Sequence, residues 1–351
     1  MQRETTRSER PSHPTGVSIV LPVYTRLEYL PTALACVDRQ DHPNIELIVS
    51  DNGNNGGAVR QLVSAHYSRP FTFRQNAESV PVVEHFNQLF EAASMPYVTL
   101  LCDDDEISPE FASELAELLD RHPDANVALP RPQVIRGGNV ESVEGDWPET
   151  TLAGDVFLRD YTRRRVRLAS TVTHMARTAQ VRQCGGYAPL PKALYSDNLL
   201  LTKLALTGDV AFAKRATFRW RVDDASTGFS ATHGEAAGAC RGFMRALTED
   251  ALLSAYAHAH PLVWKELKAE LTSQCAQWYL FRWSERYSKR LSRVRWVKAA
   301  FALPYIRSYY ANVWTILSER FKTGLKFRWP SLDRAYRVIR RRQPDRGTDG
   351  P

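Results

Sequence analysis

Three things are scarce in this 351-residue chain: cysteine, long apolar runs, and glycine in the place where a phosphate loop would need it. The five cysteines, Cys36, Cys102, Cys184, Cys240 and Cys275, are odd in number, widely spaced and without a CxxC pair. That pattern argues against a disulfide frame and a zinc site and fits a reducing cytoplasm. Lys298, Pro304 and Arg307 interrupt the best apolar stretch, so no run reaches the roughly 18 residues a membrane-spanning helix needs. The opening MQRETTRSERPSHPTG has no apolar h-region, so export by a signal peptide is not expected. VLPVYTRLEYL, after the first apolar run, contains no glycine, which weakens a nucleotidyltransferase reading with its glycine-rich phosphate loop.

What is present is unevenly charged. Residues 281–351 hold 18 Lys and Arg against 5 Asp and Glu; that is +13 of a net +7, leaving −6 on residues 1–280. The two regions should meet different partners. From just before the basic region onward, Trp278, Tyr279, Trp283, Tyr287 and Trp296 interleave with Arg282, Arg286, Lys289, Arg290 and Arg293. That composition suits an anionic membrane surface, and also nucleic acid or a neighbouring core. We expect residues 1–16 to be flexible, residues 17–230 to form an α/β domain, 231–342 a helical basic and aromatic extension, and 343–351 a disordered tail.

The α/β expectation rests on alternation. VSIVLPV (Val17–Val23) reads as a buried strand, residues 27–40 as a helix, Ile45–Val49 as a second strand and Phe71–Arg74 as a third. Helix 82–93, strand 97–102, helix 108–121 with Ser108 as N-cap, and strand 126–129 follow. Strand, helix, strand order indicates a doubly wound, mostly parallel sheet. Beyond it we expect a loop or hairpin over 137–155, a strand over 170–175, a helix over 199–207, and strands 210–213 and 217–222.

The chain is organised around YVTLLCDDDEISPEF, in which an apolar strand ends in Asp103, Asp104 and Asp105. The carboxyl edge of an open α/β sheet is where ligands bind. Three adjacent carboxylates repel unless solvent, protonation or a cation relieves them, and hard oxygen donors suit Mg2+ or Mn2+. A solvated acidic loop is the plain alternative. Asp51 also stands at a strand's carboxyl end, in SDNGNNGG, as either a nucleoside-binding acid or an Asx turn.

Together, VSIVLPVY, IVSDNGNNG, LLCDDDEISPEF, GGYAPLPKALYSDNLLLTKLALTG and FRWRVDDASTGFS resemble the family 2 glycosyltransferases of the GT-A fold. The resemblance covers residues 17–230. It implies an inverting, metal-dependent transfer of a sugar from a nucleotide-sugar donor, by default a UDP-sugar, to an acceptor hydroxyl. By motif position it assigns Pro22, Tyr24, Asp51, Asp103 and Asp104 to the donor, Asp105 and Asp223 to Mn2+ or Mg2+, and Asp197 to the base; Arg221 is a candidate for the diphosphate. Two positions depart from the family pattern: Ser196 stands where an acid commonly precedes the base, and Asp223 where His is common, with His233 a substitute ligand. The Ser50–Gly53 form and the DDD triplet resemble the branch that decorates bacterial surface polysaccharides, including abequosyltransferase-like enzymes. A lipid-linked or polysaccharide acceptor and a peripheral place on the inner membrane face follow from that resemblance and the basic region. A catalytically lapsed protein binding lipid or nucleic acid is the competing reading.

Overall fold

A computed structural model describes residues 14–222 and 230–287. Its first half is a run of strand and helix repeats: β1 (Val17–Val23), α1 (Leu30–Asp38), β2 (Ile45–Asp51), α2 (Ala58–His66), β3 (Phe71–Gln75), α3 (Val82–Ala92) and β4 (Tyr97–Leu100). The four strands are parallel in the order β3-β2-β1-β4, with Val17 opposite both Ile45 and Tyr97. β1 is buried at every position, as a strand covered on both faces must be. One face of the sheet packs Ile19, Leu21 and Val49 against Leu34, Val63 and Leu115. The other packs Val20, Val98 and Leu100 against Leu89, Val181 and Leu204.

The strand order reverses between β1 and β4, because the chain winds outward to β3 and then crosses back. Such a reversal opens a crevice at the strands' carboxyl ends. Pro22 sits where β1 and β4 part. Val20, two residues earlier, is the last β1 residue paired with β4 and accepts the Leu101 amide at 3.0 Å. Pro22 faces that same edge beyond the end of the pairing, so its missing N–H costs no ladder bond.

The second half is mixed. β5 (Glu106–Ile107), α4 (Phe111–Arg121), β6 (Ala125–Arg136), β7 (Asn139–Ser142), α5 (Gly154–Thr162), β8 (Met175–Arg177), α6 (Thr178–Gln183), α7 (Ser196–Leu206) and β9 (Asp209–Arg221) follow. β8 runs antiparallel between β4 and β6, and β9 lies parallel to β6 and antiparallel to β5. Three helices come next: α8 (His233–Glu249), opened by a Thr232–Glu235 capping box, α9 (Ala251–Ala259) and α10 (Pro261–Tyr287). The chain divides into two compact units, one ending at Thr272 and one beginning at Ser273. Among the described residues no helix is long and apolar enough to cross a membrane.

Several local expectations change. Ser108 is not an N-cap: α4 begins at Phe111, and Ser108 extends the β5 pairing, its amide donating to the Thr217 carbonyl and its hydroxyl accepting from the Thr217 amide. The predicted strands 210–213 and 217–222 are one strand, β9, interrupted by a bulge. The bulge survives because the Glu114 carboxylate of α4 accepts from the Lys214, Arg215 and Ala216 amides, groups the ladder leaves unpaired. Residues 170–174 are not strand; the Thr171 and Thr173 hydroxyls bond distant partners, Asp197 and the Leu100 carbonyl, and pairing starts at Met175.

Candidate active site

The acid triplet forms the turn from β4 to β5 at the crevice where the strand order reverses. Each carboxylate has a different partner. Asp103 accepts from the Tyr24 amide in the segment after β1. Asp104 Oδ2 accepts from Arg26 Nη2 at 2.7 Å. Asp105 is only 3% exposed, and its Oδ1 accepts from the Arg221 amide at 2.8 Å. Desolvation, reinforced by the charge of Asp104, pushes the Asp103 carboxyl up to about 7. Desolvation and then Asp104 also raise Asp105 well above the usual carboxylate range. This turn concentrates more negative charge than its surroundings readily stabilise.

Cys102 Sγ and the carboxylates of Asp104 and Asp105 bring their ligating atoms within 4.8 Å of one another. The two carboxylates are hard oxygen donors of the kind Mg2+ and Mn2+ prefer, whereas the Cys102 thiol, raised by burial and the surrounding acids, is not in the thiolate form that ligates a metal. By sequence, Asp105 is expected at the cation and Asp104 at the donor; the structure brings their carboxylates together, with the Cys102 thiol beside them.

Asp197 occupies the first turn of α7 and is half-buried. The Thr171 hydroxyl donates to Asp197 Oδ2, and Asn198 Nδ2 bonds Thr171 Oγ1 at 3.1 Å and the Tyr161 hydroxyl at 3.0 Å. Two residues on, the Thr173 hydroxyl donates to the Leu100 carbonyl at the end of β4. Residues 171–173 therefore tie Asp197 to the strand that carries the acids. Burial first, then the charges of Asp105, Asp104, Asp103 and Asp197, raise the Cys102 thiol. The backbone leading into α7 is contorted, with Lys192, Ala193 and Tyr195 at φ of 55°, 55° and 66°, a conformation that costs energy in residues other than glycine. Ser196, where the family pattern has an acid, is fully buried and donates to the Ala188 carbonyl at 2.7 Å. Its place is filled by a structural hydroxyl.

At the end of β2, Asp51 is 0% exposed. It accepts from the Gly53 amide at 2.8 Å, the Asn55 amide at 3.1 Å and Asn55 Nδ2 at 2.7 Å. These bonds make an Asx turn of residues 51–55. Asn55 Nδ2 also donates to the Tyr24 carbonyl at 2.5 Å, and a Cβ on Gly53 would collide with that same carbonyl. The Tyr24 side chain itself is 56% exposed. Sequence reasoning missed Asn52, whose side chain bonds Val80 on both its N–H and carbonyl and also Asn76, stapling β2 to the approach of α3.

Arg221, expected at a diphosphate, is committed to the acid turn. Its guanidinium donates to the Asp104 carbonyl and to Glu106 Oε1 at 2.7 Å, and lies 4.3 Å from the centre of the Tyr29 ring. Asp223 and the side chain of His233 lie outside the described residues, as does the basic stretch from residue 288. A cavity of about 960 Å3 opens between α3 and turn 185–192, lined by Arg74, Val83, Asn87, Tyr187 and Lys192 among others. Neither the acid turn nor Asp197 lines it.

The Glycosyl transferase family 2 model matches residues 18–181. An uncharacterized glycosyltransferase of Haemophilus influenzae is 26% identical over 110 residues, which is 31% of this chain and 36% of that protein. The chain thus matches little more than a third of the relative's length. S. aureus TarS 1-349 in complex with UDP-GlcNAc is 16% identical with a TM-score of 0.58, over 88% of this chain and 92% of that one. The mannosyltransferase PcManGT from Pyrobaculum calidifontis, in complex with GDP-Man and Mn2+, is 15% identical with a TM-score of 0.51, over 94% and 92%. At these identities the structural likeness speaks for the fold, which is the GT-A fold that the sequence resemblance implied.

Proposed function

We propose, on the premise that residues 18–181 form a family 2 glycosyltransferase domain, that this chain transfers a sugar from a nucleotide-sugar donor to an acceptor hydroxyl with inversion. The observation that carries the reading is the clustering of Asp104 and Asp105 with Cys102 at the sheet's reversal point, one short segment away from Asp197. Asp104 and Asp105 would hold Mn2+ or Mg2+. When bound, the cation supplies Lewis-acid stabilisation to the charge that develops on the departing diphosphate.

The protein's own groups do the rest. Asp197 takes the proton from the attacking hydroxyl, and Thr171, itself held by Asn198, fixes the direction of its carboxylate. A single base and direct attack from the side opposite the leaving group give inversion. Tyr24, exposed above the Asp51 loop, offers its ring to the donor's base, and the Asp51 turn shapes the loop beneath. Arg221 positions Asp105 through its amide and Glu106 through its guanidinium.

We assign the donor to the UDP-sugar class, carrying a hexosyl or deoxyhexosyl group. The Ser50–Gly53 form and the DDD triplet support a place in bacterial surface-polysaccharide synthesis, in a branch that includes abequosyltransferase-like enzymes. The acceptor is then lipid-linked or a polysaccharide, and the basic residues after Tyr287 would hold the enzyme against an anionic membrane face. Deleting residues 281–351 should move the protein from the membrane to the soluble fraction; retention at the membrane would refute this part.

The central test is calorimetric titration with nucleoside diphosphates and nucleotide sugars, with and without Mn2+. One diphosphate should bind in a Mn2+-dependent manner, with binding lost in Asp105→Ala and kept in Asp197→Asn. The Asp197→Asn turnover should fall by roughly 10²–10⁴-fold. No binding of any nucleotide by the folded protein would favour a lapsed protein that uses its basic stretch to bind lipid or nucleic acid.

A further inference from the structure

Asp104 answers to two cations. Its Oδ2 is 2.7 Å from Arg26 Nη2, in an ion pair whose side chains are 30% and 13% exposed. The same carboxylate belongs with Asp105 and Cys102 to the cluster that fits a divalent ion. A guanidinium and a divalent ion on one carboxylate repel each other strongly at such distances, most of all away from bulk water. We propose that Arg26 is the resident counter-cation of the acid turn, that an incoming divalent ion displaces it from Asp104, and that the released guanidinium then grips the donor's diphosphate.

The two arginines at the turn are built for different tasks. Arg221 ends strand β9 and is 15% exposed; Asp104, Glu106 and the Tyr29 ring hold its guanidinium. Arg26 sits in the irregular segment between β1 and α1 rather than on a strand, and Asp104 is one of the groups it touches. The Tyr24 amide, two residues before it, contacts Asp103, so this segment lies along the acid turn at the crevice. The guanidinium fork matches paired phosphate oxygens as well as it matches a carboxylate. The neighbouring charge is consistent with the exchange: Arg26 is the cation that opposes the rise of the Asp103 carboxyl. This inference rests on the glycosyltransferase reading, because a nucleoside diphosphate is what gives the released side chain its target.

The test uses the full-length protein, Arg26→Gln and Arg26→Lys, with thermal unfolding to confirm that each is folded. Mn2+ is first titrated by calorimetry without nucleotide. UDP, or GDP if the unaltered protein binds that instead, and the matching nucleoside are then titrated at saturating Mn2+. Arg26→Gln should bind Mn2+ about fivefold tighter, because a competing, partly exposed ion pair is gone. It should bind the diphosphate about tenfold weaker and the nucleoside unchanged, because a charge-assisted phosphate contact is lost. Arg26→Lys should stay near the unaltered protein for Mn2+. A damaged fold would weaken both ligands, so the opposite signs are diagnostic. Mn2+ affinity in Arg26→Gln equal to or below the unaltered value overturns the displacement while leaving the glycosyltransferase reading intact. Unchanged diphosphate affinity overturns the delivery of Arg26 to the donor. Failure of every form to bind Mn2+ overturns this inference together with the metal part of that reading.

Discussion

Residues 17–100 and 101–222 are held together in different ways. In the first stretch, parallel strands and covering helices repeat, and the core is built by hydrophobic residues meeting across the sheet. In the second, long-range side-chain bonds to backbone carry much of the assembly. Arg177 donates to the carbonyls of Leu119, His122, Pro123 and Ala125, tying the end of α4 to the start of β6. Arg182 donates to those of Phe90, Glu91 and Ala93 at the end of α3. Asn87 grips Tyr187 by both its N–H and its carbonyl. A regular repeat places functional residues by where strands end, whereas an irregular half needs polar clamps to place them. Asp51 and the acid triplet are placed by where the parallel strands β2 and β4 end, and Asp197 is placed by polar clamps.

The sharpest challenge to that contrast is a pair of truncations. Arg177→Ala should cost about 3–4 kcal/mol, since several partly buried carbonyls lose a charged donor at once. Arg69→Ala removes a similar clamp in the first stretch, from Val37 and His42, and should cost about half as much because the α1 repeat packs without it. Equal losses in urea unfolding would dissolve the distinction.

A smaller effect concerns pH. His85 in the first stretch and His174 in the second are buried, and burial pulls each imidazole down from 6.5 to about 4. The unfolded chain takes up these protons near pH 6.5 while the folded protein refuses them until about pH 4. Stability is therefore full above 6.5 and falls as the pH drops toward 4, by up to roughly 3 kcal/mol for each histidine. His85→Gln and His174→Gln should each flatten part of that slope in pH-dependent denaturation. If only one does, the two stretches do not unfold as one cooperative unit.

The same contrast governs what the sequence makes legible. β1, β2, β4 and α3 announce themselves through apolar runs and helical periodicity, and the acid turn follows from where β4 ends. α2 does not, because only Val59 and Val63 of its nine residues are buried. Ser108 has the composition of a cap and serves instead as a bridge to Thr217, a partner more than a hundred positions away. The continuity of β9 depends on Glu114, and nothing local to residues 213–216 reveals it. Likewise the pairing of Arg26 with Asp104 spans 78 positions. Patterns of short period can be read along the chain; contacts that close only in three dimensions cannot.

The contact of Gly53 and Asn55 with the Tyr24 carbonyl has a meaning for engineering. The segments that follow β1 and β2 are welded edge to edge, with no space for a side chain at the seam. They form one cassette. A graft that swaps residues 24–29 and leaves 51–57 behind, or the reverse, would carry half a joint into a foreign frame. The unit of exchange is the pair.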